Sequence, residues 1–306
     1  MTHSSPRHLA AVALLIGSGV LLSAQGVQLP SSPPKQFGTS ITPAYDGWFN
    51  NADGTHSLLV GYYNRNTTLE PDIPIGPNNH FEPGAADRGQ PTHFLPLRRF
   101  GMFVVTLPKE ATKATTVSWS LTYNGVTTSI PFYMHTDYNL TPMKSSEESP
   151  DRTFNEPPLL RFAAAAPNIQ GPAVTTAKAL DRTATVGVPM TLDLWTDDDA
   201  RYSSGGNGPM GGARPPITLT VAKYRGPGAV KVADPRPKVE TLKGGKAMEP
   251  FSGKASTTVT FSEAGDYLLH VTANDFSGNG GGGSGCCWTN AMIKVAVSGS
   301  NTTRGQ

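Results

Sequence analysis

Thr258-Val-Thr-Phe-Ser-Glu-Ala-Gly-Asp-Tyr-Leu-Leu-His-Val-Thr-Ala-Asn-Asp275 reads as two strands joined by a turn. Apolar and polar residues alternate from Ser256 to Phe261, the period of a strand with one face on a core. Ala264-Gly265 turns the chain, and Tyr267 to Ala273 resumes the strand pattern. Working outward, Thr183 to Val188, Met190 to Trp195, Ile217 to Tyr224 and Ala291 to Val297 carry the same signal. No stretch keeps a helical period. The expectation is an all-β chain.

Composition agrees. The chain has 306 residues, with 33 Gly, 27 Pro and only 16% charged residues, which favours many short strands and turns over helices. The formal net charge is +2 and no basic face is concentrated anywhere, so nucleic acid is not an expected partner. Arg7 and His8 precede an apolar run from Leu9 to Leu22, which suits a signal peptide and is short for a membrane span. Cleavage is expected after Ala24, giving a periplasmic or secreted protein with no membrane span after cleavage.

The expected organisation is a signal peptide over 1–24, a flexible lead-in over 25–35, and an N-terminal β-sandwich over 36–140. A linker over 141–158, a C-terminal sandwich over 159–298 and a disordered tail over 299–306 follow. In the N-terminal part Ser57 to Tyr63, Phe100 to Leu107 and Thr115 to Tyr123 read as strands. Asn124-Gly125 offers a two-residue hairpin into Val126 to Tyr133. Thr67 to Leu97 is a long irregular segment. Segments of this kind are often functional, so His80 and His93 within it are candidate binding residues.

Residues 258–275 resemble the last third of bacterial Ig-like and polycystic-kidney-disease-type (PKD) domains. There an alternating strand precedes an "AG-x-Y" turn, and the next strand ends in "A-x-D". Val186-Gly-Val-Pro-Met-Thr-Leu-Asp193 is similar to their early strands. The resemblance covers roughly residues 183–297 and implies an immunoglobulin-like sandwich there, with a tyrosine corner at Tyr267, whose hydroxyl bonds back to nearby backbone. About seven short strands in the N-terminal part read as another, so the expectation is two immunoglobulin-like antiparallel β-sandwich domains. It does not imply a function, because the fold hosts many.

Cys286 and Cys287 are the only cysteines. In an exported protein an isolated pair is expected to be bonded. Neighbouring Cα atoms lie about 3.8 Å apart in trans and about 2.9 Å in cis, against about 4.4–6.8 Å in ordinary disulfides. A vicinal disulfide would thus close a strained ring. Three uses are open: a rigid turn, a redox switch, or a soft-metal site. Trp288, beside the pair and the Gly278–Gly285 run, is expected at a partly exposed tip as a binding residue.

Asp197, Asp198 and Asp199 follow the strand ending at Trp195, and Asp275 follows the strand ending at Ala273. In an immunoglobulin-type sandwich the loop after the second strand and the loop before the last share one end. The four carboxylates are therefore a candidate calcium site, since calcium takes about six to eight oxygens. No catalytic motif is present. Gly206 to Gly211 matches G-x-G-x-x-G only formally, with Pro209 inside it and no flanking strand and helix. The expected function is a non-catalytic exported protein that recognises an envelope protein or glycan. The alternative is a metal-binding or redox protein using Cys286 and Cys287.

Overall fold

The computed structural model describes residues 35, 38–144, 155–172, 181–201, 217–244, 246, 249–275 and 286–299. The expected signal peptide, the Gly-rich insertion at Ser203–Ala213, the Gly278–Gly285 run and nearly all of the tail lie outside the described residues. The described residues all belong to one compact unit, Pro34–Gln306. They contain no α-helix, and no helix among them is long and apolar enough to cross a membrane. The chain is all-β, built as two antiparallel sandwiches of immunoglobulin-like kind.

The first sandwich consists of β1 (Ile41–Asn50), β2 (His56–Asn64), β3 (Asn79–Glu82), β4 (Leu97–Leu107), β5 (Val117–Tyr123) and β6 (Val126–Phe132). A 3-10 turn at Thr136–Tyr138 follows. One sheet runs β1-β2-β4 and the other β3-β5-β6. Asn124 and Gly125 both have positive φ, 51° and 72°, as the two central residues of a type I′ hairpin require. Leu58, Val60 and Tyr62 of β2 and Phe103 and Val105 of β4 meet Trp119 and Phe132 in an aromatic core. Phe81 stacks on Trp119 at 5.6 Å between ring centroids, and Phe103 meets Trp119 edge-on at 5.4 Å.

β1 was not legible as a strand, because Pro43, Asp46 and Gly47 break its alternation. The ladder accommodates them with a bulge between Tyr45 and Gly47. The bulge turns Asp46 inward, where it accepts the Gly101 N–H at 2.8 Å and pairs with Arg98. Burial drives the Asp46 carboxyl up to about 6 against the opposing pull of Arg98.

The second sandwich consists of β7 (Leu159–Arg161), β8 (Arg182–Thr185), β9 (Met190–Asp198), β10 (Ile217–Arg225), β11 (Val230–Val232), β12 (Glu240–Lys243), β13 (Phe251–Phe261), β14 (Gly265–Asp275) and β15 (Trp288–Ser298). One sheet runs β11-β13-β9-β7 and the other β10-β14-β15-β8, with β8 parallel to β15. This is the immunoglobulin-like division of the strands. Leu192, Leu194, Phe251, Phe261, Leu269, Val271, Ile293 and Val295 fill the space between the sheets. The tyrosine corner forms: Tyr267 donates its hydroxyl to the Glu263 carbonyl at 2.9 Å and accepts from the Gly228 N–H at 3.0 Å.

The two sandwiches are joined by more than the chain between them. Trp288, at the start of β15, packs with Phe49 and Leu59 of the first sandwich. Its ring lies on Gly101 of β4, where a Cβ would overlap ring carbon Cζ2. Gly101 also takes φ +48°, a left-handed conformation that favours glycine. Tyr224 and Met292 complete the aromatic core of the first sandwich from outside. The irregular segment between β2 and β4 closes the joint. Thr92 and His93 donate their N–H groups to the Tyr224 carbonyl, both at 3.1 Å, and Tyr224 Oη donates to the Gly89 carbonyl at 2.5 Å. Arg225 grips Asp87 through two nitrogens, at 2.9 and 2.7 Å.

Candidate functional site

Strand parity decides what the acidic residues do. The sequence suggested that β9 ends at Trp195 and that Asp197 to Asp199 share a loop. Instead β9 runs on to Asp198. Alternate residues point to opposite faces, so the acidic run is split. Leu192, Leu194, Thr196 and Asp198 face the core, while Asp193, Trp195 and Asp197 face outward. Asp197 is tied to the sheet surface: it pairs with Arg161 of the neighbouring β7 and accepts from Ser252 Oγ at 2.6 Å.

Asp198 has the opposite fate. β14 likewise runs to Asp275, which takes the inward parity of Tyr267, Leu269, Val271 and Ala273. Asp198 and Asp275 thus stand on the inner faces of opposite sheets, at one end of the core, exposed by only 8% and 5%. Asp198 Oδ2 accepts the Ala200 N–H at 2.8 Å. Its Oδ1 is buried and has no hydrogen-bond partner among the described residues. Burial first, then the charges of Asp275 and Asp199, push the Asp198 carboxyl well above the usual carboxylate range. Asp275 accepts from Asn155 Nδ2 at 2.8 Å. Asp199 lies at the rim, accepting the Glu156 and Arg201 N–H groups, each at 3.2 Å.

Over this end sits the cysteine pair. Cys286 and Cys287 are bonded to each other, and no free cysteine exists. They are exposed by 6% and 0%. Their sulfurs lie 3.9 and 3.6 Å from the Asn155 carbonyl oxygen. A disulfide has no S–H, so these are packing contacts. The Cys287 carbonyl accepts the Asp275 N–H at 3.3 Å, linking the pair to β14. Bonded to one another, the sulfurs offer no thiolate to a soft metal. Among the described residues no group of three or more His, Cys, Asp or Glu side chains is arranged to hold a metal ion.

Trp288 and His93 are placed differently from expectation. Trp288 is not at an exposed tip; it is 5% exposed, because the first sandwich covers it. The segment carrying His93 is spent on the joint between the sandwiches. His93 Nδ1 meets Asp72 at 3.1 Å and Nε2 meets Glu70 at 3.2 Å, with its side chain 10% exposed. Asp72 also binds the ammonium of Lys223 from β10 at 2.9 Å. Burial lowers the His93 pKa, but the bonds from Asp72 and Glu70 outweigh it and hold the ring above its ordinary value. His80 lies half-buried on β3.

The sequence did not single out the surface that is most exposed and aromatic. Just beyond β6, Tyr133, His135 and Tyr138 emerge on the strand end and the 3-10 turn. Tyr138 is 50% exposed and Tyr133 36%. His135 meets Tyr133 edge-on at 5.8 Å and Tyr138 at 5.5 Å. Tyr45 of β1 supports the group, 5.6 Å from Tyr138, and donates its hydroxyl to the Tyr133 carbonyl at 2.6 Å. Trp48 Nε1 donates to the His135 carbonyl at 2.7 Å. The Asp137 carboxylate and the Lys113 ammonium, which donates to Thr136 Oγ1 at 2.9 Å, flank the rings. The signal was present in the sequence as Tyr-Met-His-Thr-Asp-Tyr138, three rings in six residues directly after a strand.

No family model matches the chain, and no curated protein does either. Solved structures with some likeness include domains 4 and 5 of the S-layer protein SbsC, at 11% identity and TM-score 0.21, covering 60% of this chain and 65% of that one. The D00-D0 domain of intimin gives 8% identity and TM-score 0.21, covering 84% of this chain and 100% of that one. Cadherin-like domains 1 to 4 of zebrafish RET give 11% and 0.23, covering 60% of this chain and 33% of that one. At such TM-scores these likenesses assign neither topology nor function.

Proposed function

We propose that the chain is an exported, non-catalytic recognition module, with a second sandwich of PKD type, that holds a glycan on the ridge of Tyr133, His135 and Tyr138. The ridge is the observation that carries this reading. Tyrosine gives a large, rigid contact surface that is apolar on its faces and polar at its tip. Sugars match that character, with C–H faces for the rings and hydroxyls for the Asp137 carboxylate and the His135 imidazole. A protein partner is favoured by an apolar anchor in a desolvated pocket, and the ridge instead stands proud and polar-edged. Two sandwiches fixed against each other suit presentation of such a surface away from the membrane. The signal peptide expected over 1–24 supports a periplasmic or secreted address.

A glycan array probed with the mature protein, Tyr133→Ala and Tyr138→Ala tests the proposal. Selective binding by the wild type and its loss in both variants, with far-UV circular dichroism unchanged, is the expected result. An array without hits, or hits retained by both variants, would overturn it.

A further inference from the structure

The pair Asp198 and Asp275 has no part in the aromatic ridge and lies in the other sandwich. Core positions at the end of a sandwich are ordinarily apolar, and burying a carboxylate is costly unless it is paired and hydrogen-bonded. Asp198 is 8% exposed, makes no ion pair among the described residues, and leaves Oδ1 without a donor. The neighbouring charges that act on it, those of Asp275 and Asp199, are carboxylates and oppose its ionisation. Asp275 faces it from the opposite sheet, also buried. Asn155, 2% exposed and bonded to Asp275 at 2.8 Å, brings an amide to the same place. A stable fold does not leave such a group uncompensated. The compensating species must be positive, small and matched to hard oxygen donors.

We infer that Asp198 and Asp275, with Asn155, form a site for a hard divalent cation, calcium, inside the end of the second sandwich. The donor set is two carboxylates and an amide rather than three acids. Oxygen ligands select calcium over soft or imidazole-seeking metals. With few charged ligands the affinity falls in the range of extracellular calcium modules, a Kd of about 10⁻⁴–10⁻³ M. Asp197 takes no part, since its parity turns it to the outer face. Two carboxylates and an amide supply fewer oxygens than calcium takes, so water and backbone carbonyls would complete the shell.

The test is thermal unfolding of the full protein, stripped with chelator and then titrated with calcium chloride at pH 7. About 10 mM calcium should raise Tm by roughly 3–10 °C, with half the effect at the Kd above and a smaller effect from magnesium. Asp198→Asn keeps the volume and removes the charge, so it should fold and lose the calcium shift. Asp197→Asn should keep it. A wild type whose Tm ignores calcium overturns the assignment, as does a full calcium shift in Asp198→Asn. If Asp198→Asn is itself more stable and the wild type ignores calcium, the carboxylates share a proton instead, and the cation site is refuted. Loss of glycan binding by Tyr138→Ala leaves this result untouched, so the two proposals fail separately.

Discussion

Replacing Trp288 by alanine should show how tightly the sandwiches are joined. The indole is 5% exposed and lies among Phe49, Leu59 and the backbone of Gly101. Truncating a buried tryptophan costs about 3–5 kcal/mol, the spread reflecting how far the site collapses. Each kcal/mol moves Tm by about 2–4 °C in chains of 150–250 residues. This unit is large, so the low end applies and the loss should be about 6–10 °C. Gly101→Ala approaches the contact from the other side. Its Cβ overlaps the ring and its φ of +48° is unfavourable for alanine, so it should also destabilise. In a double-mutant cycle the two changes should not add. With the ring gone, Gly101→Ala should cost less by about 0.5–3 kcal/mol, leaving only the backbone term. Urea unfolding followed by tryptophan fluorescence and by circular dichroism gives all four stabilities. A Trp288→Ala loss under about 1 kcal/mol, or strictly additive losses, would refute the idea that this contact joins the sandwiches.

Other consequences follow from buried polar groups. Burial, and then Arg99, pushes His270 down to about 4. The folded form thus binds fewer protons than the unfolded one, so its stability is intact above about pH 6.5 and is lost as pH falls toward 4. The gap is worth about 3 kcal/mol, and a pH series of urea midpoints should be flatter by that amount in His270→Gln. His93 has the reverse sign: held above its ordinary value, it stabilises below about pH 6.5 and ceases to as pH rises through its folded value. Asp72→Ala should cost about 2–3 kcal/mol in chemical unfolding, because the Lys223 ammonium, 4% exposed, loses its carboxylate. Tyr267→Phe should cost about 1–2 kcal/mol through the lost corner bond and the orphaned Gly228 N–H, read the same way. Millimolar dithiothreitol should expose no thiol to a labelling reagent in the native protein, because Cys286 and Cys287 are buried; prior denaturation should expose both.

How far the fold was legible depends on distance along the chain. The Asn124-Gly125 hairpin and the Tyr267–Glu263 bond of the tyrosine corner are local chemistry, and both stand in the structure as the sequence suggested. β1 was not legible, because Asp46 and Gly47 serve a bulge whose partners, Arg98 and Gly101, lie about fifty residues on. The joint was legible least of all. Nothing in Cys-Cys-Trp288 indicates Gly101 as the surface its indole covers, and a tryptophan beside glycines resembles an exposed tip until the second sandwich is docked. His93 misled for the same reason: a histidine in a long irregular segment is as free to serve an internal ion cluster as an external ligand.

The acidic end was half legible. Topology correctly suggested that the segments after the second strand and before the last share an end. The three aspartates looked equivalent only while they were treated as loop. Extending the period of Leu192, Leu194 and Thr196 by one step places Asp198 inward and Asp197 outward, a distinction already written in the sequence. Which of them meets Asp275 follows from the parity of β14 in the same way. The aromatic ridge needed the structure, because Tyr133 and Tyr138 could as well have belonged to the core that Phe132 and Met134 enter.

Isothermal titration of the strongest array glycan into the wild type and into the Tyr133→Ala, Tyr138→Ala double variant tests the recognition function most directly. An aromatic contact is worth about 0.5–1.5 kcal/mol beyond area burial, so losing both rings should weaken binding by about tenfold or more. One glycan should bind per chain, and the double variant should keep the wild-type Tm. Equal affinity in the two proteins, or no binding heat from the wild type, would contradict the assignment of this surface to glycan recognition.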